Sequence, residues 1–168
     1  MITLILGGAR SGKSRYAEDL AQGAPTRVYI ATAEPLDEEM RSRIASHREE
    51  RGSGWVTREA QLELAAALAE ADAENGVVLI DCITVWLGNL MHRERDIPLE
   101  VARFCRALEC AKGRVIVVAN EVGLGIVPDN AMARRFRDEA GRANQKIAAV
   151  ADEVIFMAAG LPLPLKTR

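Results

Sequence analysis

The chain is 168 residues long, 49% apolar and 27% charged, with a formal net charge of −2. That length matches about one domain, 1–168, built around one buried core, and the charge balance excludes a broadly basic nucleic-acid or anionic-membrane surface. No apolar run approaches the roughly 18 residues of a membrane span and Met1–Leu6 lacks a basic n-region, so a cytoplasmic enzyme is expected.

In chain order, β-rich apolar runs alternate with helical patterns, which predicts an α/β fold with a mostly parallel sheet and helices on both faces. Strands are expected at Ile2–Leu6, Val28–Ala31, Val77–Asp81, Val115–Asn120 and Val154–Ala158. Helices are expected near Lys13–Gln22, Asp37–Arg51, Leu62–Ala73, Leu99–Ala111 and Ala131–Val150, with Pro98 suiting a helix start. The tail from Gly160 to Leu165 carries Pro162 and Pro164, so it is an edge strand or an extended arm and not a central strand. Cys82, Cys105 and Cys110 lack C-x-x-C spacing and read as small apolar residues, not as a disulfide or zinc framework.

Between the first strand and the first helix lies Gly7-Gly8-Ala9-Arg10-Ser11-Gly12-Lys13-Ser14, a G-x-x-x-x-G-K-S pattern in the strand–turn–helix context of a P-loop. Glycines let successive backbone N–H groups turn inward around an anion, and the following helix adds its positive end. Lys13 is placed to reach the terminal phosphates of a nucleoside triphosphate, and the Ser14 hydroxyl to take a position on Mg²⁺. Ligands in such sheets sit at the carboxyl ends of the strands. Asp81 ends the apolar run Val77–Ile80 and is the expected metal-side carboxylate, the alternative being a cap on the next turn. Thr32, Ala33 and Glu34 follow the second strand, and Asn120-Glu121 the fourth. The segment from Val122 to Pro128 is too apolar and Gly-rich for a simple solvated loop. It lines a pocket for a large substrate or packs on a neighbouring subunit; the residues leave both open.

Of the two histidines, His92 lies in a charged stretch, Met91–Arg95, that reads as exposed. His47 shares a helix face with Met40 and Ile44 by i, i+4, i+7 spacing. Alone it is a structural histidine; beside a triphosphate, a neutral imidazole is also a competent nucleophile toward phosphorus.

Several segments occur in order: GGARSGKSR at the opening, IATAEPLDEEMRSRIASHREER followed by Trp55 and Glu59, NEVGLGIVP, RRFRDEAGRANQKIAAVADEV, and GLPLPLK at the end. Together they resemble the bifunctional adenosylcobinamide kinase/adenosylcobinamide-phosphate guanylyltransferase family of cobalamin biosynthesis, over nearly the whole chain. The resemblance implies a RecA-like P-loop NTPase fold and a homotrimer. It implies phosphorylation of the aminopropanol hydroxyl of adenosylcobinamide by ATP or GTP. Transfer of GMP from GTP to the resulting phosphate then gives adenosylcobinamide-GDP. It also implies that His47, in the R-I-x-x-H-R pattern, carries the covalent GMP. By the same carry-over the nucleotide-binding positions are Gly7, Gly8, Ala9, Arg10, Ser11, Gly12, Lys13, Ser14, Thr32, Ala33, Glu34, Arg48, Glu49, Glu50, Arg51, Glu59 and Asp81. Mg²⁺ falls to Ser14 and Asp81, and catalysis to His47 and Lys13. The Gly52-Ser53-Gly54 stretch departs from the family pattern, which bears on loop geometry and not on chemistry.

Arginines near His47 would lower its pKa and favour the nucleophilic form, while Glu49, Glu50 and Glu59 act the other way. Two other readings fit the phosphate loop. One is a plain small-molecule P-loop kinase with a structural His47. The other is a RecA-like ATPase module acting on a partner, whose best support is Arg134, Arg135, Arg137 and Arg142; Asp138 and Glu139 dilute that stretch toward a solvated face or a subunit contact.

Overall fold

The computed structural model describes residues 1–34, 38, 41–42 and 52–167. Most of the helix expected over Asp37–Arg51, His47 included, lies outside the described residues. The elements are β1 (Ile2–Gly7), α1 (Lys13–Leu20), β2 (Thr26–Ala31), β3 (Val56–Glu59), α2 (Leu64–Ala71), β4 (Gly76–Asp81), α3 (Ile83–His92), α4 (Ile97–Cys110), β5 (Arg114–Asn120), α5 (Ala131–Val150), β6 (Glu153–Ala158) and β7 (Leu161–Lys166).

Among the described residues the strands form one sheet in the order β3-β2-β4-β5-β1-β6-β7. All pairings are parallel except β6 with β7. The central strands are continuous apolar runs because both of their faces are covered. Alternation then sorts neighbouring residues between two cores. Leu4, Leu6, Val78, Ile80, Val115 and Val117 face one side, against α2 to α5 with Trp86 and Phe104 at its centre. Ile5, Val77, Leu79, Ile116 and Val118 face the other, against Ala17 and Ala21 from α1. Phe104 is fully buried, its ring 5.7 Å from that of Trp86, so Phe104→Ala would cost about 3–5 kcal/mol.

Helix ends follow local chemistry. Asp96 caps α4 by accepting from the Leu99 N–H at 3.0 Å, with Pro98 in the first turn. Asn130 caps α5 by accepting from the Ala133 N–H at 2.7 Å. The Pro-containing tail is an edge strand, β7, antiparallel to β6. Lys166 at its end donates to the carbonyls of Ala148 and Ala149 at 3.0 and 3.2 Å, closing the C-terminus of α5.

Two elements have no counterpart in the sequence-based expectation. β3 is four residues long, polar at three of them and at the sheet edge, too short and too exposed to leave a pattern. α3, with sequence Ile-Thr-Val-Trp-Leu-Gly-Asn-Leu-Met-His, is rich in apolar and β-branched residues and carries Gly88. Burial of Ile83, Thr84, Trp86, Leu87 and Leu90 overrides its weak intrinsic helix preference.

Candidate nucleotide-binding site

Parallel register brings the strand ends to one edge of the sheet. Gly7 pairs with Asn120 and with Met157, while Ala31 pairs with Asp81 and with Glu59. The G-x-x-x-x-G-K-S loop therefore turns at the same edge as Asp81, Thr32 and Glu59.

The loop is held close to the backbone beneath it. A Cβ at Gly7 would lie 2.5 Å from the Met157 carbonyl oxygen and 2.7 Å from Ser11 Oγ, so only glycine fits there. Gly12 has φ +94° and a Cβ there would meet Gly160 Cα at 3.3 Å. The Gly160 N–H donates to the Ser11 carbonyl at 3.0 Å, so the β6–β7 turn braces the loop. On the other flank, the Glu121 N–H donates to the Gly7 carbonyl at 3.0 Å. Gly8 is half-buried, while Ala9 and Arg10 are exposed at the rim.

Lys13 opens α1 and is buried at 7% exposure. Its Nζ donates to the Gly8 carbonyl at 2.6 Å and to Ser11 Oγ at 3.4 Å, so the ammonium folds back over the loop. Burial pushes its pKa below the usual lysine range, and nearby Asp81 opposes that shift.

Ser14 Oγ donates to Asp81 Oδ2 at 2.9 Å. Strand alternation explains the meeting: Asp81 lies on the same face of β4 as Val77 and Leu79, the face that α1 covers. Tyr29, on that same face of β2, donates from its hydroxyl to the same Asp81 oxygen at 3.3 Å. Asp81 is thus tied to the phosphate loop and not spent on capping its own turn. A serine hydroxyl and a carboxylate beside a phosphate loop are hard oxygen donors of the type that suits Mg²⁺ shared with substrate phosphates. Among the described residues no group of three His, Cys, Asp or Glu side chains forms a metal cluster by itself, so phosphate oxygens would have to complete such a site.

Behind Asp81 the backbone is stapled. The Asp81–Cys82 peptide is cis. Thr32 Oγ1 donates to the Cys82 carbonyl at 2.8 Å and accepts from the Cys82 N–H at 2.9 Å. Asn89 Nδ2 donates to the carbonyls of Thr32 at 2.8 Å and Gln61 at 3.1 Å, drawing the ends of β2 and β3 onto α3. Cys82 is buried, and burial with neighbouring Asp81 pushes its thiol up to about 12.

Beyond Thr32 opens a groove of about 710 Å³ lined by Glu34, Glu59, Gln61, Glu63 and Arg93 among others. Glu34 is engaged by Arg93, whose Nη2 donates to both carboxylate oxygens at 3.1 Å. Ala33 is half-buried between Thr32 and Glu34. The fold thus gathers Gly7 through Ser14 with Asp81 and Thr32, and sets Glu34 and Glu59 on the adjoining groove. His47, Arg48, Glu49, Glu50 and Arg51 lie outside the described residues.

Three site residues escaped the sequence reading. Tyr29 looked like one more apolar strand residue, and Asn89 belongs to the unexpected α3. Arg93 lies in the stretch read as exposed; His92 is exposed there, while Arg93 pairs with Glu34. The segment after β5 projects from the site edge, with Leu124 82% and Ile126 96% exposed. Arg134 donates to the Pro128 and Asp129 carbonyls, and Arg142 pairs with Glu139 at 2.9 Å, so these arginines serve local structure.

The profile of the family described as "Cobinamide kinase / cobinamide phosphate guanyltransferase" matches residues 3–165. The "Bifunctional adenosylcobalamin biosynthesis protein CobP" of Pseudomonas aeruginosa is 50% identical over 171 residues, covering 99% of this chain and 98% of that protein. The "Bifunctional adenosylcobalamin biosynthesis protein CobU" of Salmonella typhimurium is 40% identical over 181 residues, covering 99% and 100%. Among solved structures, a prototypical ATPase from the type III secretion system of pathogenic bacteria aligns with a TM-score of 0.55 at 11% identity. That alignment covers 97% of this chain and 56% of the longer ATPase, a likeness of fold alone. The α/β architecture expected from the sequence, a mostly parallel sheet with helices on both faces, is the one found.

Proposed function

Since the chain belongs to the cobinamide kinase / cobinamide phosphate guanyltransferase family, we propose that it carries out both reactions at the single phosphate loop described above. In the first, the aminopropanol hydroxyl of adenosylcobinamide attacks the γ-phosphorus of ATP or GTP, the β–γ bridging bond breaks, and nucleoside diphosphate leaves. In the second, a ring nitrogen of His47 attacks the α-phosphorus of GTP and pyrophosphate leaves. An oxygen of adenosylcobinamide phosphate then displaces His47 from the GMP, giving adenosylcobinamide-GDP.

The observation that supports this most is the Ser14–Asp81 hydrogen bond beside the folded-over Lys13. It assembles at one strand edge the three side chains that phosphoryl chemistry asks of the protein. Lys13 swings from the Gly8 carbonyl to the terminal phosphates, neutralising charge that grows on the leaving oxygen. Ser14 and Asp81 would hold Mg²⁺, which supplies charge neutralisation at the phosphates when bound. One cradle serves both steps, because it grips the transferred γ-phosphoryl in the first and the departing pyrophosphate in the second.

The role of His47 is supported by its place in the Arg43-Ile44-Ala45-Ser46-His47-Arg48 pattern. Glu34, Glu59 and the Arg48–Arg51 stretch are assigned to the rest of the nucleotide on the same footing. We extend the reading to a homotrimer working in the cytoplasm; among the described residues no helix is long and apolar enough to cross a membrane. The test is to incubate the protein with cobinamide, GTP and Mg²⁺ and to separate the products. Successive appearance of the phosphate and the GDP derivative is expected, and a reaction that stops at the phosphate would leave a plain kinase.

A further inference from the structure

Tyr29 is 6% exposed, yet its hydroxyl does not end in the core. It reaches Asp81 Oδ2 at 3.3 Å, the oxygen on which Ser14 Oγ also lands at 2.9 Å. Register explains the reach. Tyr29 pairs with Leu79 and Ala31 with Asp81, so the ring stands one side-chain step behind the carboxylate on the same face. A phenol-to-carboxylate hydrogen bond is charge-assisted, and two donors on one oxygen fix the rotation of the carboxyl group where one donor leaves it a hinge.

The other side of the Tyr29 ring is also held. Trp55 meets it edge-on, with centroids 6.2 Å apart and planes at 88°. Trp55 carries the Arg27 guanidinium 5.4 Å above its own ring, and Arg27 reaches on to the Ser53 carbonyl at 3.4 Å. Trp55 immediately precedes β3, eight positions after His47. One buried side chain therefore touches both the metal-side carboxylate and the ring that leads into β3.

We propose that Tyr29 is a positioning residue for Asp81. Its hydroxyl fixes the carboxylate that, with Ser14, receives the metal–nucleotide, and Trp55 fixes Tyr29. The proposal rests on the assignment of Asp81 to the metal side of the cradle. Tyr29 acts through Asp81.

The test is GTP binding by the full chain as a function of Mg²⁺, measured by calorimetry for wild type, Tyr29→Phe, Asp81→Asn and the double variant. Tyr29→Phe keeps the ring and removes only the hydroxyl. The Mg²⁺ concentration for half-maximal tightening of GTP should rise by about tenfold, the scale for losing a group that orients a metal-side ligand. GTP affinity in EDTA should be unchanged, and Tyr29→Phe should add nothing once Asp81 is Asn. Trp55→Leu, which leaves the hydroxyl but removes the ring behind it, should shift the Mg²⁺ requirement in the same direction. A raised requirement in Asp81→Asn with none in Tyr29→Phe overturns the proposal while leaving the cradle intact. No shift in either variant removes the metal-side role of Asp81 and the proposal with it. Equal weakening with Mg²⁺ and in EDTA, or effects that multiply in the double variant, would make Tyr29 a packing residue and overturn the proposal.

Discussion

Ser14 Oγ and Asp81 Oδ2 meet at 2.9 Å although 67 positions separate them in the chain. Two local rules produce that contact. Ser14 sits in the first turn of the helix that the phosphate loop opens, and Asp81 ends a strand whose alternate residues face that helix. Because one residue is a hydroxyl and the other a carboxylate, removing either has a defined signature. Asp81→Asn should raise the Mg²⁺ needed for half-maximal kinase rate, and Ser14→Ala should do the same. Titrating Mg²⁺ against rate checks both; an unchanged requirement with normal folding would return Asp81 to a structural role.

Lys13, whose Nζ rests on the Gly8 carbonyl at 2.6 Å, is the charge proposed to reach the terminal phosphates. Lys13→Ala should depress kinase and guanylyl-transfer rates by roughly a hundredfold or more, the scale for removing a positioned transition-state donor. Initial rates of both half-reactions measure it. Turnover near the wild-type value would sink the phosphate-loop assignment.

Gly7 has no room for a side chain, since a Cβ would stand 2.5 Å from the Met157 carbonyl oxygen. Gly7→Ala must shift β1 against β6 or distort the loop, and a loss of about 1–3 kcal/mol of stability is expected. Urea unfolding with and without GTP would also show weaker ligand stabilisation, because the shifted backbone belongs to the proposed cradle.

The three thiols should separate by reactivity. Cys110 is exposed, Cys105 is half-buried with its pKa raised by burial, and Cys82 is buried with its thiol pushed up to about 12. Alkylation at pH 8 followed by peptide mapping should find Cys110 modified first and Cys82 only after unfolding. The sign of the linkage follows: Cys82 ionises near its ordinary 9.0 in the unfolded chain but near 12 when folded. Its contribution to stability is complete below pH 9.0 and is lost as pH rises toward 12. Cys82→Ala should flatten that part of the alkaline stability profile relative to wild type.

The strands that run continuously apolar, such as Ile2–Gly7 and Gly76–Asp81, were legible to within a residue or two because burial on both faces leaves an unbroken signal. Helix α5 was legible at both ends, since Asn130 caps its start and amphipathic spacing carries it to Val150. β3 left no trace: a four-residue edge strand is selected by pairing with β2, not by its own sequence. α3 hid behind β-branched residues whose helical state is set by burial. Of the candidate site, the glycine-rich loop and Asp81 stand out by motif, and the structure brings Ser14 and Asp81 within hydrogen-bond distance. The contacts of Tyr29, Asn89 and Arg93 depend on which strand lies beside which, and spacing along the chain does not encode that.

Guanylyl transfer through His47 is tested most directly by labelling. Protein incubated with GTP labelled at the α-phosphate, in Mg²⁺, should retain label after denaturation. A phosphoramidate bond is acid-labile and comparatively base-stable, so the label should leave at low pH and survive alkali. His47→Ala should abolish labelling and guanylyl transfer while leaving phosphorylation of cobinamide largely intact, and His92→Ala should label normally. Label that persists in His47→Ala, or none in the wild type, would contradict guanylyl transfer through that histidine.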